Sequence, residues 1–209
     1  MDALVLLSSV LGVGFLSGIN LYATVLLLGL AVRIGFVDTL PGFTHLEVLG
    51  HPAVLVTAGG LYLIEFVADK IPYVDSSWDA IHTVIRPVGA AALAAGTLGG
   101  LDPATETALV LACGGLALSS HSAKATTRVA ANHSPEPFSN IALSVAEDVA
   151  VLGGLWLLLV YPLVALCAVV VFLGIFVWIF PKILRALRAS FRRIRSLVSR
   201  REMGDESAL

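Results

Sequence analysis

Charged side chains inside apolar runs are the residues of this sequence best placed to do chemistry. A carboxylate at the centre of a membrane span costs at least about 2.5–3.5 kcal/mol, so it is kept only against a partner or water. Glu65 and Asp69 stand four apart, which puts them on one face of a helix. Glu147-Asp148 interrupts a second apolar run, and Lys124 and Arg128 repeat the four-residue step in between. Two chemistries fit. Glu65, Glu147 and Asp148 can form a site for a cation or a proton, or they can pair internally with Lys124 and Arg128 and lock the bundle. Asp75, Asp79 and His82 share one side of an amphipathic stretch around Trp78. They read either as a gate or cation site, or as a capped interfacial helix anchored by Trp78.

Asn20 and His121 belong to the same candidate set for a different reason. Ser17-Gly18-Ile19-Asn20 and Ser119-Ser120-His121-Ser122 read as helix breaks, and a break frees backbone groups that attract ions. The competing reading is that these small residues let helices pack closely. The substrate or ion set is thus Asn20, Glu65, Asp69, His121, Lys124, Arg128, Glu147 and Asp148, with Asp75, Asp79 and His82 as gate or interface. Whether a metal binds there is left open. The sequence holds no GxSxG, HExxH, Walker A or dinucleotide-binding motif, and it calls for no cofactor. Cys113 and Cys167 lie in apolar runs without metal-ligand spacing and read as small buried hydrophobes.

The elements that must position these residues follow from composition. The chain has 209 residues, 57% hydrophobic and only 13% charged, against about 25% charged in a soluble domain. Such a chain reads as an all-α membrane protein. The uncharged run 3–32 would be about 45 Å long as one helix, too long for one span and too short for two. It lacks a basic leading segment and reads as a retained membrane segment rather than a signal peptide. Further helices are expected over 51–71, over 87–101 with residues borrowed from 78–86, over 106–130 with Thr105 as cap, over 140–160, and over 163–180. Pro181 is expected to end the last. The loop 132–137 holds two prolines and cannot continue a helix. About six spans result.

Eight of the thirteen basic residues fall between Lys182 and Arg201. There Leu184, Leu187, Phe191, Ile194 and Val198 recur at three- and four-residue steps, with Arg185, Arg188, Arg192 and Arg195 beside them. This basic amphipathic helix suits anionic lipid headgroups. Nucleic acid is not the expected partner, because the aromatic interleaving of such sites is missing. Residues 202–209 read as a disordered acidic end. With 182–201 inside, six spans also put Lys70, Arg86, Lys124 and Arg128 inside, and only Arg33 breaks the positive-inside rule. Both termini are therefore expected in the cytoplasm, with the bundle in the cytoplasmic (inner) membrane.

Residues 16–24 align without gaps to 118–126 with four identities. Each segment is followed by a proline-containing loop, a helix with an embedded glutamate (Glu65, Glu147) and an apolar helix. Two inverted three-helix repeats with interrupted first helices, about 3–101 and 106–180, are expected inside a bundle over 1–181. Transporters use this design, with the site where the repeats meet.

Ser17-Gly18-Ile19-Asn20-Leu21-Tyr22, Glu65-Phe66-Val67-Ala68-Asp69-Lys70-Ile71-Pro72, Trp78-Asp79-Ala80-Ile81-His82 and Glu147-Asp148 carry a resemblance to a bacterial membrane family, domain of unknown function 4126. The resemblance spans roughly residues 3–180. It implies a small multi-span bundle and supplies no activity. The functional expectation is a small transporter or channel for a cation or small polar solute, proton-coupled through buried carboxylates, with a homodimer completing the pathway. Two alternatives stand beside it. One is an enzyme or carrier for an anionic lipid headgroup held by Arg86, Lys124 and Arg128; the other is a non-transporting scaffold.

Overall fold

The uncharged start of the chain folds as two helices, α1 (Ala3–Ile19) and α2 (Leu21–Arg33), separated by one residue. Asn20 makes the break. Its backbone is extended (φ −152°, ψ 102°), and its side-chain oxygen accepts the amide of Ala23 at 2.9 Å, capping α2. Its carbonyl accepts from the amide and the hydroxyl of Thr24. The interruption expected around Ser17–Asn20 is therefore present, at its last residue. These helices are about 26 and 20 Å long.

The structure, a computed structural model, describes residues 3–37, 43, 45–71, 74–131 and 138–206; side chains at 130, 184 and 186–206 are outside the description. The proline-containing loop 132–137, residues 72–73 and the tail side chains at 187–198 therefore lie outside the described residues. Among the described residues the chain forms seven α-helices and one short 3-10 turn, Leu46–Gly50, and it is all-helical. Helix α3 (Pro52–Ala68) starts with proline at its first position, where no amide hydrogen is needed. Helix α4 (Val74–Thr97) runs through Pro87 as one piece and includes the stretch around Trp78.

Helix α5 (Pro103–Ala131) corrects two expectations. Its cap is Asp102, whose carboxylate accepts the amides of Ala104 and Thr105 at 3.1 and 3.0 Å; Thr105 lies inside the helix. The second break, expected at Ser119–Ser122, is absent. Every residue there keeps its amide hydrogen. The hydroxyls of Ser119, Ser120 and Ser122 donate to the carbonyls of Gly115, Leu116 and Leu118 one turn back, so none is free to cap a new helix.

Helix α6 (Phe138–Val160) meets α7 (Pro162–Glu206) across Tyr161 alone, the tight connection foreseen. Helix α7 passes through Pro181 instead of ending there. A proline removes only one backbone donor, and Arg185 donates to its carbonyl at 3.2 Å. The helix continues to Glu206, so residues 202–206 are helical where disorder was expected. The residues form two compact units, Met1–Val170 and Val171–Leu209. In the second, Phe172, Phe176 and Phe180 stack along the helix and the Lys182 ammonium sits 3.3 Å above the Trp178 ring.

The first unit is organised around α5, which packs most closely on α4 and α1. Small residues bring α1 and α5 together. A Cβ on Gly14 would stand 2.6 Å from the Cys113 carbonyl oxygen, and one on Gly18 would stand 2.2 Å from that of Ala117. Val10, Val13 and Leu16 of α1, Ala90 and Ala94 of α4, and Leu155 and Leu158 of α6 complete the apolar core. Helix α6 and the segment Pro162–Ile183 are long and apolar enough to cross a membrane; α1, α2 and α3 are apolar but shorter.

Candidate functional site

Three helix faces carry polar residues at helical spacing, and they converge. Helix α4 presents Asp75, Asp79, His82 and Arg86, all buried. Helix α5 presents His121, Lys124 and Arg128, also buried. Helix α3 ends in Glu65 and Asp69, and α6 contributes Ser144 and Glu147. Steps of three and four residues put each set on one stripe. Asp75, Asp79 and His82, expected as a gate or an interfacial turn, are each at most 2% exposed. Trp78, expected as an interfacial anchor, stacks on the His82 ring at 4.7 Å.

The stripes meet as an alternating network. The Arg86 guanidinium donates to Glu65 Oε1 at 2.7 Å and stands 3.6 Å from Asp79 Oδ1. The Lys124 ammonium lies 3.0 Å from Asp69 Oδ2, 3.1 Å from Glu147 Oε2 and 3.6 Å from Glu65 Oε1. Arg128 grips both oxygens of Glu147, donates to Asp69 Oδ2 at 3.0 Å and faces Asp75 Oδ2 at 3.8 Å. A two-pronged guanidinium–carboxylate pair of this kind fixes orientation as well as charge.

The break at Asn20 feeds the same network. Carbonyls at the end of α1 have no helical partners, and they take the cations instead. Arg86 donates to the Gly18 carbonyl at 3.0 Å and Lys124 to the Ile19 carbonyl at 3.3 Å. Positive groups at a helix C-terminus are the favourable arrangement. The ions attracted to the freed helix end are thus the protein's own. Asn20 itself is buried but caps α2, and it makes no bond to the charged side chains.

Two histidines flank the network, and their partners fix their protons. Arg86 can only donate, so His121 Nδ1, 2.6 Å away, must accept. The Asp79 carbonyl can only accept, so His121 Nε2, at 3.0 Å, must carry the hydrogen. His121 is therefore the neutral Nε2–H tautomer. His82 Nδ1 donates to the Trp78 carbonyl at 2.8 Å, which leaves Nε2 to accept from the Tyr22 hydroxyl at 3.1 Å.

The balance of charge is uneven. Within ion-pair distance five carboxylates (Glu65, Asp69, Asp75, Asp79 and Glu147) face three cations (Arg86, Lys124 and Arg128), and Lys70 acts on Asp69 and Glu147 from farther off. Glu65 Oε2, Asp69 Oδ1 and both oxygens of Asp79 accept no hydrogen bond among the described residues. Asp79 is the one of these three with neither oxygen bonded. No three His, Cys, Asp or Glu side chains among the described residues converge as a metal-ligand set. A guanidinium or ammonium stands between the carboxylates.

Asp148 does not join. It points into a different cavity, beside Tyr62. Arg86, which the sequence suggested only as a phosphate ligand, is central to the network. Its place on the Asp79–His82 stripe is a signal present in the sequence, masked by Pro87 immediately after it. Tyr22 and Thr83 were also missed, since single hydroxyls in apolar helices have no distinguishing pattern.

Comparison with known proteins adds a family and no activity. No curated protein and no solved structure matches the chain. A family model described as Domain of unknown function (DUF4126) matches residues 7–182, and the chain belongs to that family.

Proposed function

We propose that this member of the family is a small multi-pass transporter that couples movement of a cation or small polar solute to protons held in the buried network. The observation that carries the reading is the excess of buried carboxylates over cations. Burying an uncompensated charge costs several kcal/mol per ion even after relaxation. Lys70 offsets part of the excess, and the rest demands positive charge from outside the protein's own side chains. Protons fit better than a coordinated metal, because the cations break up every candidate ligand set. Asp79, with neither oxygen bonded, is the carboxylate that gains most from a proton. Glu147, half-buried, and the Tyr22–His82 pair supply contacts away from the centre.

The membrane reading is supported by an inside-out distribution. The apolar windows of α6 and of Pro162–Ile183 are only 22% and 11% buried, whereas the core helix of a soluble protein is mostly buried. The charges are inside instead. We assign six spans, with α1 and α2 sharing the first, both termini in the cytoplasm, and the basic run 182–201 on anionic headgroups of the cytoplasmic membrane. The two aligned segments touch at Gly18 and Ser120, which are equivalent positions in the alignment, as expected for a contact at the axis of an inverted repeat. A homodimer completes this picture. The lipid-headgroup alternative draws no support from Arg86, Lys124 and Arg128, which are bonded to carboxylates.

The test is proton and solute flux in proteoliposomes. Asp79→Asn and Glu65→Gln should insert, stay folded and lose flux. Variants that keep full flux would refute the coupling site. For topology, external labelling should reach a cysteine at Ala104 and fail at Ser77, Ser134 or Ser207; labelling at Ser134 in intact cells would overturn six spans.

A further inference from the structure

A second site lies apart from the network, on the face where α2, α3 and α6 meet. A cavity of about 220 Å³ is lined there by Leu26, Leu27, Tyr62, Val149 and Leu152, with the half-buried Asp148 carboxylate as its charged group. Asp148 makes no ion pair among the described residues, while its neighbour Glu147 faces the opposite way into the network. The Tyr62 hydroxyl donates to it. Lys70, just beyond the end of α3, is the cation that acts on Asp148, but its hydrogen bonds go elsewhere. Its ammonium donates to the Phe66 carbonyl at 3.0 Å and the Ser144 hydroxyl at 3.2 Å, and it sits 3.0 Å over the Phe66 ring. What remains is a mostly apolar cavity holding one carboxylate, on which the Lys70 ammonium acts from beyond ion-pair distance, and one aromatic ring.

We propose that this cavity binds a small organic ammonium, with Asp148 as its counter-ion and the Tyr62 ring beside it. The chemistry selects the class. Apolar walls reject a hydrated metal ion, the carboxylate rejects an anion, and an aromatic face attracts a cation that has shed water. Size selects within the class. An apolar cavity of about 150 Å³ holds benzene, so 220 Å³ leaves room for a phenyl ring with an aminomethyl group. That this ammonium is the transported cargo rests on the transport reading; that it binds does not.

The experiment is calorimetric titration of benzylammonium into the full chain in nanodiscs of zwitterionic lipid, with benzyl alcohol as the neutral control of nearly the same shape. Benzylammonium should bind at least about tenfold more tightly than benzyl alcohol. Asp148→Asn should remove that preference while thermal melting shows the fold retained. Lys70→Gln, which removes the ammonium already acting on Asp148, should tighten binding. Equal affinity for the two probes, an unchanged preference in Asp148→Asn, or loss of binding in Lys70→Gln would each overturn the site. If benzylammonium binds while Asp79→Asn and Glu65→Gln keep full flux, the transport reading fails and the site stands. If it does not bind while Asp79→Asn still abolishes flux of another solute, the site fails and the transport reading stands.

Discussion

Two segments of this chain are aligned in sequence and opposite in structure. Residues 17–20 break a helix, whereas 119–122 pass through the middle of one. Both are short, open on a serine and hold at least one further polar side chain. The difference lies in what the side chains can reach. The Asn20 oxygen reaches forward to the Ala23 amide and offers a new helix its cap. The serine hydroxyls reach back to carbonyls one turn behind and leave the amide ladder intact. Polarity in an apolar helix therefore does not specify a break; a side chain able to replace a lost amide acceptor does. The consequence is functional. The broken helix frees carbonyls that orient Arg86 and Lys124, and the unbroken one supplies Lys124 and Arg128 as a rigid stripe.

The largest expected effect comes from removing a cation that the break orients. Arg86→Met leaves Glu65 and Asp79 without their guanidinium and the Gly18 carbonyl without its donor. The cost should be about 3–5 kcal/mol in denaturation from detergent micelles, and adding Glu65→Gln should recover much of it. Failure of that rescue would mean the pair is not the unit. Next is the contact between the two segments. In Gly18→Ala the new Cβ meets the Ala117 carbonyl, which cannot turn aside as a side chain can. A loss of about 1–3 kcal/mol is expected. An unchanged Tm would place α1 and α5 farther apart than described.

The comparison itself is sharpened by paired substitutions. Asn20→Ala removes a cap and should cost about 1 kcal/mol, whereas Ser122→Ala at the aligned position should stay within about 0.5 kcal/mol. Equal costs would show that Asn20 does not specify the break. The smallest effect belongs to Asp102, on the exposed cap of α5. The Thr105 hydroxyl and the Thr105 and Ala104 amides beside it hold its carboxyl below the ordinary carboxylate range. A lowered folded pKa means that the stabilisation is present above the unfolded value and is lost as pH falls through the folded one. Asp102→Ala should therefore lower Tm slightly at neutral pH, and the difference from the unsubstituted chain should vanish in acid.

Much of this was legible because the apolar runs are long and the charges within them rare. The helices around residues 52–68 and 138–160 and the break near Asn20 follow from run length and breaker residues. Glu65, Asp69, Lys124, Arg128 and Glu147 stood out as charges in apolar surroundings, and they do meet. Spacing shows which residues share a helix face, but not which faces converge. So the burial of Asp79 and His82 and the separation of Asp148 from Glu147 were hidden. Arg86 was hidden by Pro87, and the continuity of α7 by Pro181, because a proline's single missing bond weakens a helix without always ending it.

The central claim is that the network holds protons because its carboxylates outnumber its cations, with Asp79 carrying one of them. Infrared spectroscopy of the protein in lipid at neutral pH reads this directly, since a protonated carboxyl and a carboxylate absorb at well-separated frequencies. The account predicts a protonated-carboxyl band that disappears in Asp79→Asn and persists in Glu147→Gln. A spectrum with no protonated carboxyl, in a folded protein at that pH, would contradict it.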